Sequence, residues 1–288
     1  MNRSLGSFFL VALSVGLSIG WGIATSQKIR PEPLFSPRYP DLVLTKKALA
    51  SVSPNLSRRQ SAPVSAVVGH HLLAVELFRD TLLKIPARRI RHVVLIAPNH
   101  FLEGRGRIQT MNQSFSTPYG PIAINEEFVR GIVDDGAATI ESETFRGEHG
   151  VANLLPLIKR LLPEADIAPV LVWEGISQAT LDRTREALGR HLQPGTLILG
   201  SFDFSHYVPS AVAEKNDQRT KEMITTLDLD HLRTAAVDSP EGLWLWAALT
   251  KDQGGKQFVI DSATNSGIMT GASAPTEVTS YINGRFFR

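Results

Sequence analysis

Histidines and carboxylates stand just past the ends of several apolar runs. "SAVVGHHLLA" (65–74) passes into His70 and His71, and "RHVVLIAPNHF" (91–101) ends on His100. "TLILGSFDFSHY" (196–207) ends on Asp203 and His206, and "RGEHGVANLLPLIKR" (146–160) opens a helix pattern with Glu148 and His149. Neutral imidazole is a good ligand for iron, copper and zinc. Two histidines and one carboxylate commonly hold an oxygen-activating iron(II), leaving positions open for substrate and dioxygen. His70 and His100 follow separate strands, so they are the metal-ligand candidates. Glu148, His149, Asp203 and His206 are available around them.

Each of these residues also has a plainer reading. A single strand-end histidine is more often a hydrogen-bonded structural residue than a ligand. Glu148 can simply stabilise its helix N-terminus by about 0.3–1 kcal/mol. Asp203 can hold a loop as an Asx-turn residue. Recurrence in several strand-end and helix-start motifs shifts the balance toward a shared site. His92, His191 and His231 have no such setting and are assigned to surface or packing roles. Trp173, Trp244 and Trp246 are assigned to the core.

The elements that must position these residues follow from the pattern. Apolar strand-like runs lie at 64–69, 92–97, 166–173 and 196–201, with helical patterns at 71–85, 125–133, 149–162, 178–191, 211–226 and 239–250. Two late strands are expected at 256–262 and 275–282, and 110–125 reads as a hairpin or excursion beside the sheet. Continuous apolar strands alternating with helices predict an α/β single domain with a mostly parallel central sheet flanked by helices. Ligands in such sheets bind outside the carboxyl ends of the strands, where these side chains fall.

The 288 residues carry a formal net charge of +2 and no cysteine. The charge argues against a nucleic-acid partner, and the missing thiols exclude disulfides, thiolate ligands and a cysteine nucleophile. Residues 5–24 are uncharged and mostly apolar, long enough to cross a bilayer. They predict a signal peptide or membrane anchor over 1–27, the length favouring the anchor. A Pro- and Ser-rich linker containing a short helix near 43–51 is expected over 28–62, and the folded domain over 63–288. The expected placement is therefore membrane-anchored or secreted, with the domain outside the cytoplasm.

"VVGHHLLAVEL", "VVLIAPNHF", "STPYGPIAIN", "EHGVANLLPLIK" with downstream "APVLVW", and "LILGSFDFSHY" stand in the order and spacing of the Memo family. The chain resembles that family over about residues 63–283, including the bacterial proteins called AmmeMemoRadiSam system protein B. The resemblance implies a fold like that of class III extradiol ring-cleavage dioxygenases (LigB-like), with a metal site at the strand ends. It matches His70 and His100 to the family's metal-ligand histidines. It matches Asp203 and His206 to a D-x-x-H pair beside the metal, and His149 to a pocket histidine. The animal branch places a cysteine as third ligand before the helix that begins here near Pro240. This chain has "RTAAVDSPEG" there, with Asp238 the nearest carboxylate. A carboxylate tilts the preference from copper(I) toward iron(II) or zinc. Asp238 has the alternative role of a helix cap.

Three functions compete. The first is a metal-dependent, oxygen-using enzyme: a divalent metal, iron(II) favoured over zinc or copper, sits on His70, His100 and a carboxylate. His206 or His149 then acts as acid or base, and Asp203 orients the imidazole. The second is a non-catalytic protein that holds a metal, a small molecule or a peptide in the same cleft. The third is a zinc hydrolase. The system name implies radical-SAM and AMMECR-type partners.

Overall fold

The apolar runs read as strands lie side by side in one sheet. The computed structural model describes residues 33–57, 59–272 and 275–288. In chain order the strands are β1 (Ser65–Val68), β2 (His92–Pro98), β3 (Ile108–Thr110), β4 (Thr139–Ile140), β5 (Asp166–Val172), β6 (Thr196–Ser201), β7 (Phe204–Val208), β8 (Gln257–Asn265) and β9 (Val278–Phe287). The helices are α1 (Leu42–Leu49), α2 (Val75–Leu83), α3 (Glu126–Asp134), α4 (His149–Ala152), α5 (Leu155–Leu161), α6 (Gln178–His191), α7 (Ser210–Thr226), α8 (Pro240–Asp252) and α9 (Ser266–Thr270).

Among the described residues the sheet has nine strands in the order β4-β3-β5-β2-β6-β1-β9-β7, with β8 paired to β9. Its centre, β5-β2-β6-β1, is parallel, and β3 on β5 and β9 on β1 add antiparallel flanks. The result is the α/β fold expected from the sequence. The parallel centre has a direct consequence. β1, β2 and β6 end on the same side, so the residues that follow them meet there. Helix α8 packs on the other side of the core residues: Trp246 is fully buried, and its indole donates to the Ala66 carbonyl of β1 at 2.9 Å.

The elements differ from expectation in two places. Pattern 149–162 is two helices, α4 and α5, because Pro156 has no N–H to offer the Ala152 carbonyl. The Asn153 side chain in the break donates instead to the His70 carbonyl at 2.9 Å. Strand β7 appears where a loop was read. It pairs antiparallel with β9 through register shifts on either side of His206.

The linker expected over 28–62 also needs correction. Phe35 pairs with Phe115 in a β-bridge, and Phe35, Ala48 and Leu49 are buried in the main core. Asp41 caps α1 by accepting from Val43 and Leu44. From residue 33 onward this stretch is part of the folded body, because burying three apolar side chains outweighs the extended preference of the prolines.

The expected membrane-anchored or secreted, extracytoplasmic placement is corrected too. Among the described residues no helix is long and apolar enough to cross a membrane. The segment 5–24 on which that placement rested lies outside the described residues. Neither the placement nor the membrane partner is retained.

Candidate metal centre

His70 leaves β1 as a fully buried side chain. Its Nδ1 lies 3.1 Å from the Ser201 hydroxyl, which in turn donates to the Gly150 carbonyl at 2.6 Å. The serine hydrogen is thus committed, and the serine oxygen accepts from His70 Nδ1–H. Nε2 of neutral His70 therefore carries the lone pair. It faces Asp238 Oδ2 at 3.3 Å and Asp203 Oδ2 at 3.5 Å. A lone pair opposed to two carboxylate oxygens calls for a positive centre between them, a carboxyl proton or a metal ion. Burial, then the neighbouring His100 charge, lowers the His70 pKa well below its ordinary value, so the ring resists supplying that centre as a proton.

His100 is held in the same sense by Glu148. Glu148 is fully buried at the N-cap of α4. Its Oε1 takes His100 Nδ1–H at 2.7 Å and the Gly150 amide at 2.8 Å, while Oε2 takes the His100 backbone N–H at 2.9 Å. Glu148 therefore caps its helix, as read from the sequence, and also orients a histidine. The His100 Nε2 atom points to Asp238 Oδ2 at 3.7 Å. Burial works to lower the His100 imidazole, but hydrogen bonds to Asp238 and Glu148 hold it up at about 10.

Asp238 stands at the convergence of the two rings. It is not the cap of α8, because Ser239 takes that position and accepts from Gly242. The Asp238 Oδ2 atom accepts the Asp203 backbone N–H at 3.0 Å. Oδ1 is buried and has no hydrogen-bond partner among the described residues, a costly condition for a carboxylate unless a cation lies against it. Burial, then the Asp238 charge, pushes the Asp203 carboxyl up to about 8, and burial likewise raises Asp238. Asp203 Oδ1 accepts the His70 backbone N–H at 2.9 Å. The expected orientation of His206 by Asp203 is corrected accordingly, since the contacts of Asp203 run to His70 and His71.

The donor set fits a divalent ion. Donor atoms about 2.1 Å from one ion lie roughly 3.0–3.4 Å apart in tetrahedral or octahedral shells. The His70–Asp238 separation of 3.3 Å falls in that range, and the His100–Asp238 separation of 3.7 Å is slightly wide of it. Ligand atoms of His70, Asp203 and Asp238 lie within 4.8 Å of one another, as do those of His70, His100 and His149. His149 stacks on His100 with ring centroids 4.0 Å apart. Burial, then the His100 charge, lowers His149 to about 4, so it is a neutral donor or base at neutral pH.

A cleft of about 610 Å³ opens over these groups, and His71, His149, His206 and Tyr207 lie in its wall. All six candidate residues, His70, His100, His149, Asp203, His206 and Asp238, line it together. Sequence reasoning missed Ser201 and the His100–Glu148 pairing. The one signal for Ser201 is a hydroxyl at the end of an otherwise apolar strand, "TLILGS".

The α/β fold thus carries a His/Asp cluster that could hold a metal ion. The chain belongs to the Memo family: the model described as "Memo-like protein" matches residues 40–241. The chain is 27% identical over 180 residues to "MEMO1 family protein MTH_45" of Methanothermobacter thermautotrophicus, a match covering 62% of this chain and 61% of the relative. It is 23% identical to "MEMO1 family protein" of Desulfurococcus amylolyticus, covering 80% of each. The chain spans 49% of the length of the Caldivirga maquilingensis relative, with 27% identity. In fold it is similar to the crystal structure of uncharacterized protein JW3007 from Escherichia coli K12. That likeness has a TM-score of 0.52 and 14% identity, and covers 78% of this chain and all of that one.

Proposed function

We propose that the chain is a metal-binding protein whose His70, His100 and Asp238 hold a divalent cation, with Asp203 beside them. The observation that carries the reading is the convergence of His70 Nε2 and His100 Nε2 on Asp238 Oδ2. Both rings are turned by partners on their Nδ1 sides, Ser201 and Glu148. Such outer partners are how proteins fix the tautomer of a metal-ligating histidine. Two imidazoles and carboxylate oxygens suit iron(II) first, and zinc or copper(II) after it.

An iron(II) ion on two histidines and a carboxylate supplies redox chemistry with dioxygen at its open positions. The chain's own residues do the rest. Glu148 and Ser201 take the Nδ1 hydrogens of both ligand rings and so aim Nε2 of each inward. His149 and His206 line the cleft as neutral bases that take or return a proton at the substrate. An oxygen-dependent oxidation is thus the proposed reaction class, with a non-catalytic metal- or ligand-binding role as the second reading. Radical-SAM and AMMECR-type proteins remain the proposed partners.

The test pairs metal analysis of anaerobically purified protein with oxygen uptake on catechol-type substrates. Stoichiometric iron and metal-dependent uptake support the enzyme. Stoichiometric metal without uptake supports the metal-binding reading, and protein without metal contradicts the enzyme and the metal-binding role alike.

A further inference from the structure

His71 has no role in the metal cluster, yet it lines the same cleft. Its Nδ1 lies 3.2 Å from the Tyr281 hydroxyl. Tyr281 is fully buried on β9, edge-on to Phe78 with ring centroids 6.4 Å apart, and nearly parallel to the His71 ring. The phenol is therefore fixed in place. His71 Nδ1 is its one hydrogen-bond partner among the described residues. A buried phenol hydrogen is almost always donated, and here the available acceptor is the Nδ1 lone pair. That assignment sets the tautomer of neutral His71: its hydrogen is on Nε2. Among the described residues nothing accepts from Nε2.

We propose that His71 is a ligand-binding residue, presenting its Nε2–H to an acceptor oxygen, of carboxylate type, on the molecule that occupies the cleft. Tyr281 is the positioning residue behind it. The logic is that of Ser201 behind His70, with the opposite result. Ser201 accepts and leaves Nε2 of His70 a lone pair for a cation, whereas Tyr281 donates and leaves Nε2 of His71 a hydrogen for an anion. Adjacent histidines in "GHHL" are thereby given complementary tasks. The proposal rests on the cleft being a binding site, as in the function proposed above, and not on which metal it holds.

Benzoate is the probe, titrated into the full-length protein as purified, with metal content measured in parallel. A hydrogen bond to a charged group is worth about 10-fold or more in affinity. His71→Leu is expected to weaken benzoate at least about 10-fold with metal content unchanged. His71→Gln, whose amide nitrogen can occupy the Nε2 position, is expected to restore binding to within about 3-fold. Nitrogen-15 spectra of histidine-labelled protein should show the Nε2–H tautomer for His71, becoming a mixture in Tyr281→Phe. A wild-type protein with no saturable benzoate binding, equal losses in the Leu and Gln variants, or an Nδ1–H tautomer in the wild type overturns the proposal. Wild-type protein that carries no metal, with an intact Leu–Gln contrast, instead contradicts the metal reading alone.

Discussion

Glu148 grips His100 at two points, with Oε1 2.7 Å from the ring Nδ1 and Oε2 2.9 Å from the backbone nitrogen. One buried carboxylate thus fixes both the ring and the chain that carries it. Glu148→Gln keeps the shape and the Gly150 cap acceptor but weakens the grip on the ring. Metal affinity is expected to fall about 10–100-fold, read by competition with a chelator, with little change in the thermal midpoint. Unchanged affinity would separate His100 from the metal.

Ser201→Ala tests the tautomer of His70. It removes the acceptor of His70 Nδ1–H and the donor to the Gly150 carbonyl. The buried groups left unpaired are expected to cost about 1–3 kcal/mol of stability. Metal affinity is expected to fall as well, because the ring is free to put its hydrogen on Nε2. A loss of stability with full metal affinity would reduce Ser201 to a packing residue.

The charges predict a pH dependence with a definite sign. Chelator-treated protein has a folded-state Asp203 pKa of about 8, above the ordinary 3.8, and a His100 pKa of about 10, above 6.5. Between pH 6.5 and 8 both groups hold protons that the unfolded chain has released. Stability therefore falls as pH rises through that window. The lowered His70 and His149 act only below 6.5, where they oppose this trend. Metal binding must expel the same protons, so affinity rises with pH over the window. Urea midpoints across it, and proton release measured calorimetrically in two buffers, check both signs. A midpoint that climbs with pH would contradict them.

The strand ends were legible from the sequence because buried parallel strands read as unbroken apolar runs. His70, His100 and Asp203 stand two residues past the ends of β1, β2 and β6, so placing them together needed only the sheet. Asp238 was legible by its position before Pro240 but not by role. Whether it caps α8 is decided by where its side chain turns, and Ser239 took the cap. The pairing of Asp203 with His206 failed because β7 bulges there, with Ser205 and Tyr207 at positive φ re-aiming the chain. Glu148, Ser201 and Tyr281 meet their histidines across 48, 131 and 210 residues, distances at which local pattern carries no signal. The linker reading of 33–57 failed for a related reason: proline content reports extended backbone, not whether Phe35 or Leu49 finds a core.

That last point is itself testable. Leu49→Ala is expected to cost about 2–5 kcal/mol, as for a buried leucine elsewhere. A chain beginning at Arg58 is expected to lose at least about 5 °C in thermal midpoint. Equal midpoints for the full and shortened chains would return the stretch to a linker.

The most direct measurement is the metal content of anaerobically purified wild-type protein beside His70→Ala, His100→Ala and Asp238→Asn. His191→Ala serves as control, since His191 bonds to Asp135 and has no part in the cluster. The account predicts about one divalent ion per chain in the wild type and control, and loss of it in the other three, each still folded by circular dichroism. Metal retained in the three variants at the wild-type level would contradict it.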